Sequence, residues 1–172
     1  MGPQHGFWGE TQDNMIEWEG YTHPEYGVPV YSLYGNTRVP TDSMLSGADG
    51  VLIDLVDVGS RYYTYIYSMA LTMRRCAELD IPVAVTDRPN PLGNRLVEGP
   101  VLDTAFSSFV GMYPIPVRHG LSTGELALFF ADFDGIPRPK VFSLPNPPPM
   151  GHALPEHADK GNRIGLSRHV PP

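Results

Sequence analysis

The chain has 172 residues, enough for one domain of ordinary size with a hydrophobic core. A formal net charge of −7, with no lysine or arginine cluster, excludes a nucleic-acid surface and disfavours docking on anionic membranes. No apolar run reaches the roughly 18 residues of a helical membrane span, and Cys76, the one cysteine, cannot form an internal disulfide. The 19 prolines and 18 glycines give loops a large share of the chain.

Residues 1–27 begin with glycines at 2, 6 and 9, which oppose a helix, so a structured loop with aromatic anchors is expected. The opening Met-Gly-Pro-Gln-His-Gly lacks the basic start and apolar segment of a signal peptide, so no export signal is expected in the chain as given. Residues 29–34 are β-prone and Gly35-Asn36 supplies a turn. Thr41 or Asp42 is placed to cap a short helix through Leu45 that Gly47 ends.

Val51 to Leu55 is a short apolar run interrupted only by Asp54, which suits a strand buried on both faces. Tyr62, Tyr65, Ile66, Met69, Met73 and Ala77 then recur every three or four positions, predicting an amphipathic helix to about Leu79. Its helical position makes Cys76 a packed small hydrophobe rather than a reactive thiol. Pro82 to Thr86 predicts a second strand, which Pro89 prevents from continuing. The unit is strand–helix–strand with a right-handed crossover. Residues 107–117 are expected extended but confined by prolines to a loop or an edge. Ser122 with Glu125 matches a capping box ahead of the apolar run 126–133. From about Pro137 the periodicity is lost, and the tail after about Leu144 is expected to be disordered. These elements predict a three-layer α/β fold with a mostly parallel sheet.

In such folds ligands bind beyond the carboxyl ends of the strands. Asp57, Arg61, Asp87, Arg88 and Asn90 fall there, and Glu98 follows in a loop, so one shared polar rim is expected. Asp54 sits in an apolar strand, where a carboxylate is costly unless paired, and Arg61 is its expected partner. No phosphate loop, Gly-x-Gly-x-x-Gly after a strand, His-Glu-x-x-His or cysteine-based zinc motif is present, so no cofactor or metal is assigned. Asp54-x-x-Asp57 with His5 keeps a metal-dependent hydrolase as a rival reading.

Seven segments in order carry a family likeness: 2–7 (Gly-Pro-Gln-His-Gly-Phe), 29–35, 57–66, 87–93 (Asp-Arg-Pro-Asn-Pro-Leu-Gly), 97–100 (Val-Glu-Gly-Pro), 108–111 and 119–127. On these motifs the chain resembles the N-terminal part of the exo-β-N-acetylmuramidase family, over roughly residues 2 to 135. The resemblance implies a Rossmann-like subdomain, residues 1–144 here, forming one wall of a cleft whose other wall is a second subdomain missing from this chain. It implies a glycosidase that removes N-acetylmuramic acid from the non-reducing end of peptidoglycan fragments in cell-wall turnover and recycling. Three departures stand out: Met1 abuts the first motif, Gln4 replaces a glutamate common in the family, and residues 145–172 read as out-of-frame sequence. An inactive truncated fragment of such an enzyme is therefore the alternative.

Glycoside cleavage usually needs two carboxyl groups, one donating a proton and one stabilising charge or activating water. Glu98, in its glycine-flanked loop, is the first candidate, against a role in bonding backbone amides. Gln4 cannot donate an ionisable proton but can orient an N-acetyl group or a water. His5 either contacts substrate or satisfies loop carbonyls. Asp57 is a candidate substrate contact or, with Asp54, a candidate partner carboxyl for Glu98, with a structural ion pair the alternative for Asp54; Asp87 and Asn90 suit sugar hydroxyls. Arg61 or Arg88 suits the lactyl carboxylate of a muramyl saccharide, or else braces loops. Tyr62 could stack on a sugar ring or belong to the core. His119 either points into the cleft or organises the helix entry.

Overall fold

A computed structural model describes residues 1–7, 9 and 16–143. The elements in order are β1 (Tyr21–Thr22), β2 (Pro29–Val30), α1 (Asp42–Leu45), β3 (Val51–Ile53), α2 (Tyr65–Glu78), β4 (Val83–Asp87), α3 (Thr123–Asp134) and β5 (Lys140–Ser143). A single 3₁₀ turn covers Thr104–Phe106. The sequence-based tail assignment at 145–172 lies outside the described residues. Among the described residues no helix is long and apolar enough to cross a membrane.

The expected α/β class and parallel sheet are present. β3, β4 and β5 form a three-stranded parallel sheet in that order, with Ile53 opposite Val85, Val85 opposite Val141, and Asp87 opposite Ser143. Alternation of side chains along each strand puts Ile53 and Val85 into the core, while Leu52 and Phe142 on the other face stand exposed. α2 and α3 pack against each other and α3 against β4, so the described residues supply one helical layer. β1 and β2 form a separate antiparallel pair.

α2 forms because Ile66, Met69, Ala70, Met73 and Cys76 share one buried stripe. It begins at Tyr65, so Tyr62 lies outside the helix that its spacing predicted. Thr64 is the N-cap residue, yet its hydroxyl makes no cap; it donates to Gln4 Oε1 at 2.8 Å and ties the N-terminal motif to the helix start. α3 begins with the predicted capping box, Ser122 and Glu125 each bonding the other's backbone, and ends at Gly135 in the left-handed conformation. Tyr113 stacks on Phe130 with ring centroids 3.9 Å apart, both fully buried. Each such ring contributes about 2–3 kcal/mol by burial.

Two readings are corrected. Lys140–Ser143 is a strand, where the sequence showed only loss of pattern after Pro137: four residues opened by a lysine and preceded by Pro137 and Pro139 carry almost no strand signal. The opening loop is also more regular than expected, because β1 falls within residues 1–27 and Gly2 forms a parallel bridge with Ser32.

Candidate active site

Residues 117–124 form a strap across the carboxyl edge of the sheet; it carries His119, and six more of the polar residues singled out in the sequence touch it. The Arg61 amide donates to Val117 O at 2.8 Å. Glu98 and Arg118 exchange both backbone bonds, at 3.1 and 2.9 Å. His119 Nε2 faces Asp57 Oδ2 at 3.1 Å. Asn90 Nδ2 donates to Leu121 O at 3.1 Å, Thr123 N to Arg88 O at 3.1 Å, and Gly124 N to Asp87 Oδ1 at 2.9 Å. The strap can lie this close because Gly99 and Gly124 lack side chains. A Cβ on Gly99 would stand 2.7 Å from Val117 Cβ, and one on Gly124 2.9 Å from Asp87 Cγ.

Each predicted residue has a definite place. Glu98 is exposed, and its Oε2 accepts from Arg118 Nη1 at 2.6 Å. Arg118 also donates to Leu92 O. Arg61 is buried and is not the partner of Asp54: its Nη1 donates to Pro100 O at 2.7 Å and Ile115 O at 2.8 Å, pinning the Glu98 loop from behind. The partner of Asp54 is Arg88, a two-pronged pair at 2.7 and 2.9 Å, with Thr86 Oγ1 donating at 2.6 Å. These bonds, Arg88 foremost, hold the Asp54 carboxyl below the usual carboxylate range. The guanidinium that could have met a substrate carboxylate is thereby engaged within the fold. Asp87 accepts at the N-terminus of α3, a favourable place for an anion. Asn90 Oδ1 accepts from Leu92 N, closing its loop.

Asp57 and His119 are buried. His119 Nδ1 accepts from Leu121 N at 3.2 Å, which leaves the ring proton for Nε2, toward Asp57. That contact is close but not aligned as a hydrogen bond, and Asp57 Oδ1 and Thr123 Oγ1 are likewise buried without a hydrogen-bond partner. Asp57 and Thr123 line one void too narrow for a water molecule. Gln4 is buried against Thr64, and His5 holds a positive φ of 73° with its ring 6.4 Å from that of Tyr65. Tyr62 is exposed beside Arg61, whose guanidinium lies 5.2 Å from its ring centre.

The shared rim is therefore real as an edge of the sheet but not as one open hollow. A hollow of about 390 Å³ runs instead along β3, lined by residues 51–55 with Met1, Pro3 and Ser68 among others, and neither Glu98 nor Asp87 borders it. The cation-site reading of Asp54, Asp57 and His5 is also corrected: Asp54 is tied to Arg88 and Asp57 to His119. Among the described residues no three histidine, cysteine or acidic side chains are grouped to hold a metal. Arg118 and Thr123 were missed. An exposed Glu98 calls for a cation, but the 20 residues separating it from Arg118 hide the pairing until the strap is in place.

Residues 1–144 match the family described as Exo-beta-N-acetylmuramidase NamZ, N-terminal. The chain belongs to this family. It is 50% identical over 130 residues to the peptidoglycan beta-N-acetylmuramidase NamZ of Bacillus subtilis (strain 168), a match covering 76% of this chain and 31% of that protein. Crystal structures of two DUF1343 family proteins from Bacteroides fragilis NCTC 9343 are similar, at 38% and 37% identity with TM-scores of 0.69 and 0.64. Each match covers 83% of this chain, and 35% and 36% of those chains. The chain thus spans about a third of the length of each of these relatives.

Proposed function

We propose that this chain supplies one wall of an exo-acting glycosidase site that releases N-acetylmuramic acid from the non-reducing end of peptidoglycan fragments. The observation that carries the reading is Glu98: a glutamate at the carboxyl edge of the sheet, exposed and gripped by Arg118, in a chain half-identical over 130 residues to a named muramidase. Glu98 Oε2 faces the Arg118 guanidinium at 2.6 Å, a cation set against a carboxylate. Glu98 accordingly stabilises the positive charge that develops on the sugar or activates water. The proton donor is a second group. Asp57 is buried, Asp54 is tied to Arg88, and Asp87 accepts from α3. Gln4 cannot ionise. None of these four groups is placed to give up a proton, so the donor is assigned to the second wall. Tyr62, exposed on the same edge, offers a ring face to the saccharide.

The test measures N-acetylmuramic acid release from a chromogenic muramide by the 172-residue chain and by a protein joining its residues 1–143 to the remaining portion of the Bacillus subtilis relative. Release by the joined protein alone supports one wall of two. Release by the short chain overturns the need for a second wall, and release by neither overturns the glycosidase reading.

A further inference from the structure

A second hollow, of about 350 Å³, opens at the amino edge of the sheet, where β4 and β5 begin. That is the end of the strands opposite Glu98. Its volume falls within the roughly 300–1,000 Å³ of small-molecule pockets. Met73 and Ala77 of α2, with Ile81 and Pro139, give it apolar walls. Three charged residues also border it, and they differ in how far they are already engaged. Arg138 is committed to Asp132, with both prongs at 2.6 Å. Lys140 Nζ lies 4.9 Å from the ring centre of Phe142, an aromatic face rather than a carboxylate. Asp80 has no ion pair or side-chain hydrogen bond among the described residues.

The backbone at Asp80 is unusual as well. Its φ of 54° is left-handed, and the turn closes α2 through Asp80 N to Ala77 O at 3.4 Å and Ile81 N to Cys76 O at 2.9 Å. Glycine takes this conformation after a helix with the least strain. An aspartate here bears that strain and sets an unpaired carboxylate beside apolar walls. It lies just past the C-terminus of α2, whose dipole adds negative charge there. We propose that this hollow binds a small zwitterion with an apolar body, an amino acid of the leucine type. Asp80 receives its ammonium, Lys140 its carboxylate, and its side chain rests on Met73, Ala77 and Ile81. The opposite signs of the two charges select this ligand class: an apolar acid would leave Asp80 unmatched, and an apolar amine would leave Lys140 so. The site lies away from Glu98, and the inference holds whether or not the chain takes part in sugar cleavage.

The 172-residue chain is titrated with L-leucine, N-acetyl-leucine and leucinamide while the amide resonances of Met73, Ala77 and Ile81 are followed by NMR. Leucine should shift them saturably. Each derivative lacks one charge and should bind about tenfold more weakly, the worth of one hydrogen bond to a charged group. Asp80→Asn should lose only the preference over N-acetyl-leucine, and Lys140→Gln only the preference over leucinamide. Asp80→Gly should raise the thermal midpoint yet lose the same preference as Asp80→Asn, because it relieves the turn and removes the ligand contact. The absence of a saturable shift with leucine overturns the proposal. So do equal affinities for the three compounds in the parent protein, which would mean adventitious binding only. Preferences that survive both Asp80→Asn and Lys140→Gln, or that are lost in Arg138→Ala instead, overturn it too.

Discussion

His119 Nε2 stands 3.1 Å from Asp57 Oδ2 with both side chains withdrawn from water. The carboxylate also accepts from Gly59 N at 2.9 Å, so it joins the end of β3 to the strap. Asp57→Ala strands the Gly59 amide and removes the carboxylate that faces the imidazole N–H. Leaving a buried donor unsatisfied costs about 1–3 kcal/mol, and a destabilisation of about 3 kcal/mol is expected. Asp57→Asn keeps an acceptor for Gly59 and should lose about half as much. Urea unfolding followed by circular dichroism measures both, and an Asp57→Ala midpoint matching the parent protein would show that the contact is idle.

Gly124 poses a contest between two effects of opposite sign. Glycine within a helix is less favourable than alanine by about 1 kcal/mol, so Gly124→Ala should stabilise α3 if propensity decided. The added methyl would lie 2.6 Å from Val141 Cγ1 and 2.9 Å from Asp87 Cγ, inside contact distance of two elements that cannot both retreat. Such overpacking costs about 1–3 kcal/mol, and the bond from the Gly124 amide to Asp87 stretches as well. Net destabilisation is expected, read as a lower thermal midpoint. A higher midpoint would mean that α3 and β5 separate more easily than their packing implies.

How much of this was legible in the sequence depends on how local the signal was. The capping box of Ser122 and Glu125, the stripe of α2 and the strand at 51–53 rest on spacings within a few residues, and each is found nearly in place. β5 was hidden because a four-residue edge strand between prolines has too few side chains to show a period. The site was half legible. That Asp57, Asp87, Asn90 and Glu98 share an edge follows from strand ends alone. What each one bonds to does not, because the strap reaches them from between 20 positions away, for Glu98 and Arg118, and 62, for Asp57 and His119. The mistaken pairing of Asp54 with Arg61 shows the limit: the nearer arginine in sequence turned its guanidinium to loop carbonyls, while Arg88, one residue past β4 and beside the end of β3, took the carboxylate.

The Asp54–Arg88 pair sets an acid limb. Bonded to Arg88, the Asp54 carboxyl titrates below its ordinary value of 3.8. A depressed pKa contributes stability above the unfolded value, and that contribution is lost as pH falls through the folded one. Between pH 5 and 8 the contribution is constant. Below about pH 4 the protein should lose it, whereas Asp54→Asn, which has nothing to protonate, should show a flatter decline over the same window. Unfolding midpoints from pH 7 to pH 2 check this, and parallel curves for the two proteins would remove Asp54 from the acid response.

Glu98 and Arg118 separate catalysis from architecture. Their side-chain pair is exposed, and such pairs contribute about 0–1 kcal/mol to stability; the paired backbones, not the charges, hold the loop. Glu98→Gln keeps an oxygen for Arg118 Nη1 while removing the negative charge. In the joined protein it should leave the thermal midpoint within about a degree and lower kcat by about 10² to 10⁴, the usual worth of a positioned acid–base group. Arg118→Ala leaves the carboxylate in place but free to swing, because the bonds to Glu98 Oε2 and Leu92 O are both lost. Its loss in kcat should be smaller than that of Glu98→Gln, and Arg118→Lys, which restores charge without the fork, should recover only part of it. Steady-state kinetics on a chromogenic muramide separate the cases. Unchanged kcat in Glu98→Gln would move the reacting carboxylate off this wall altogether, and equal losses in all three variants with lowered midpoints would make the pair a brace rather than a reacting group.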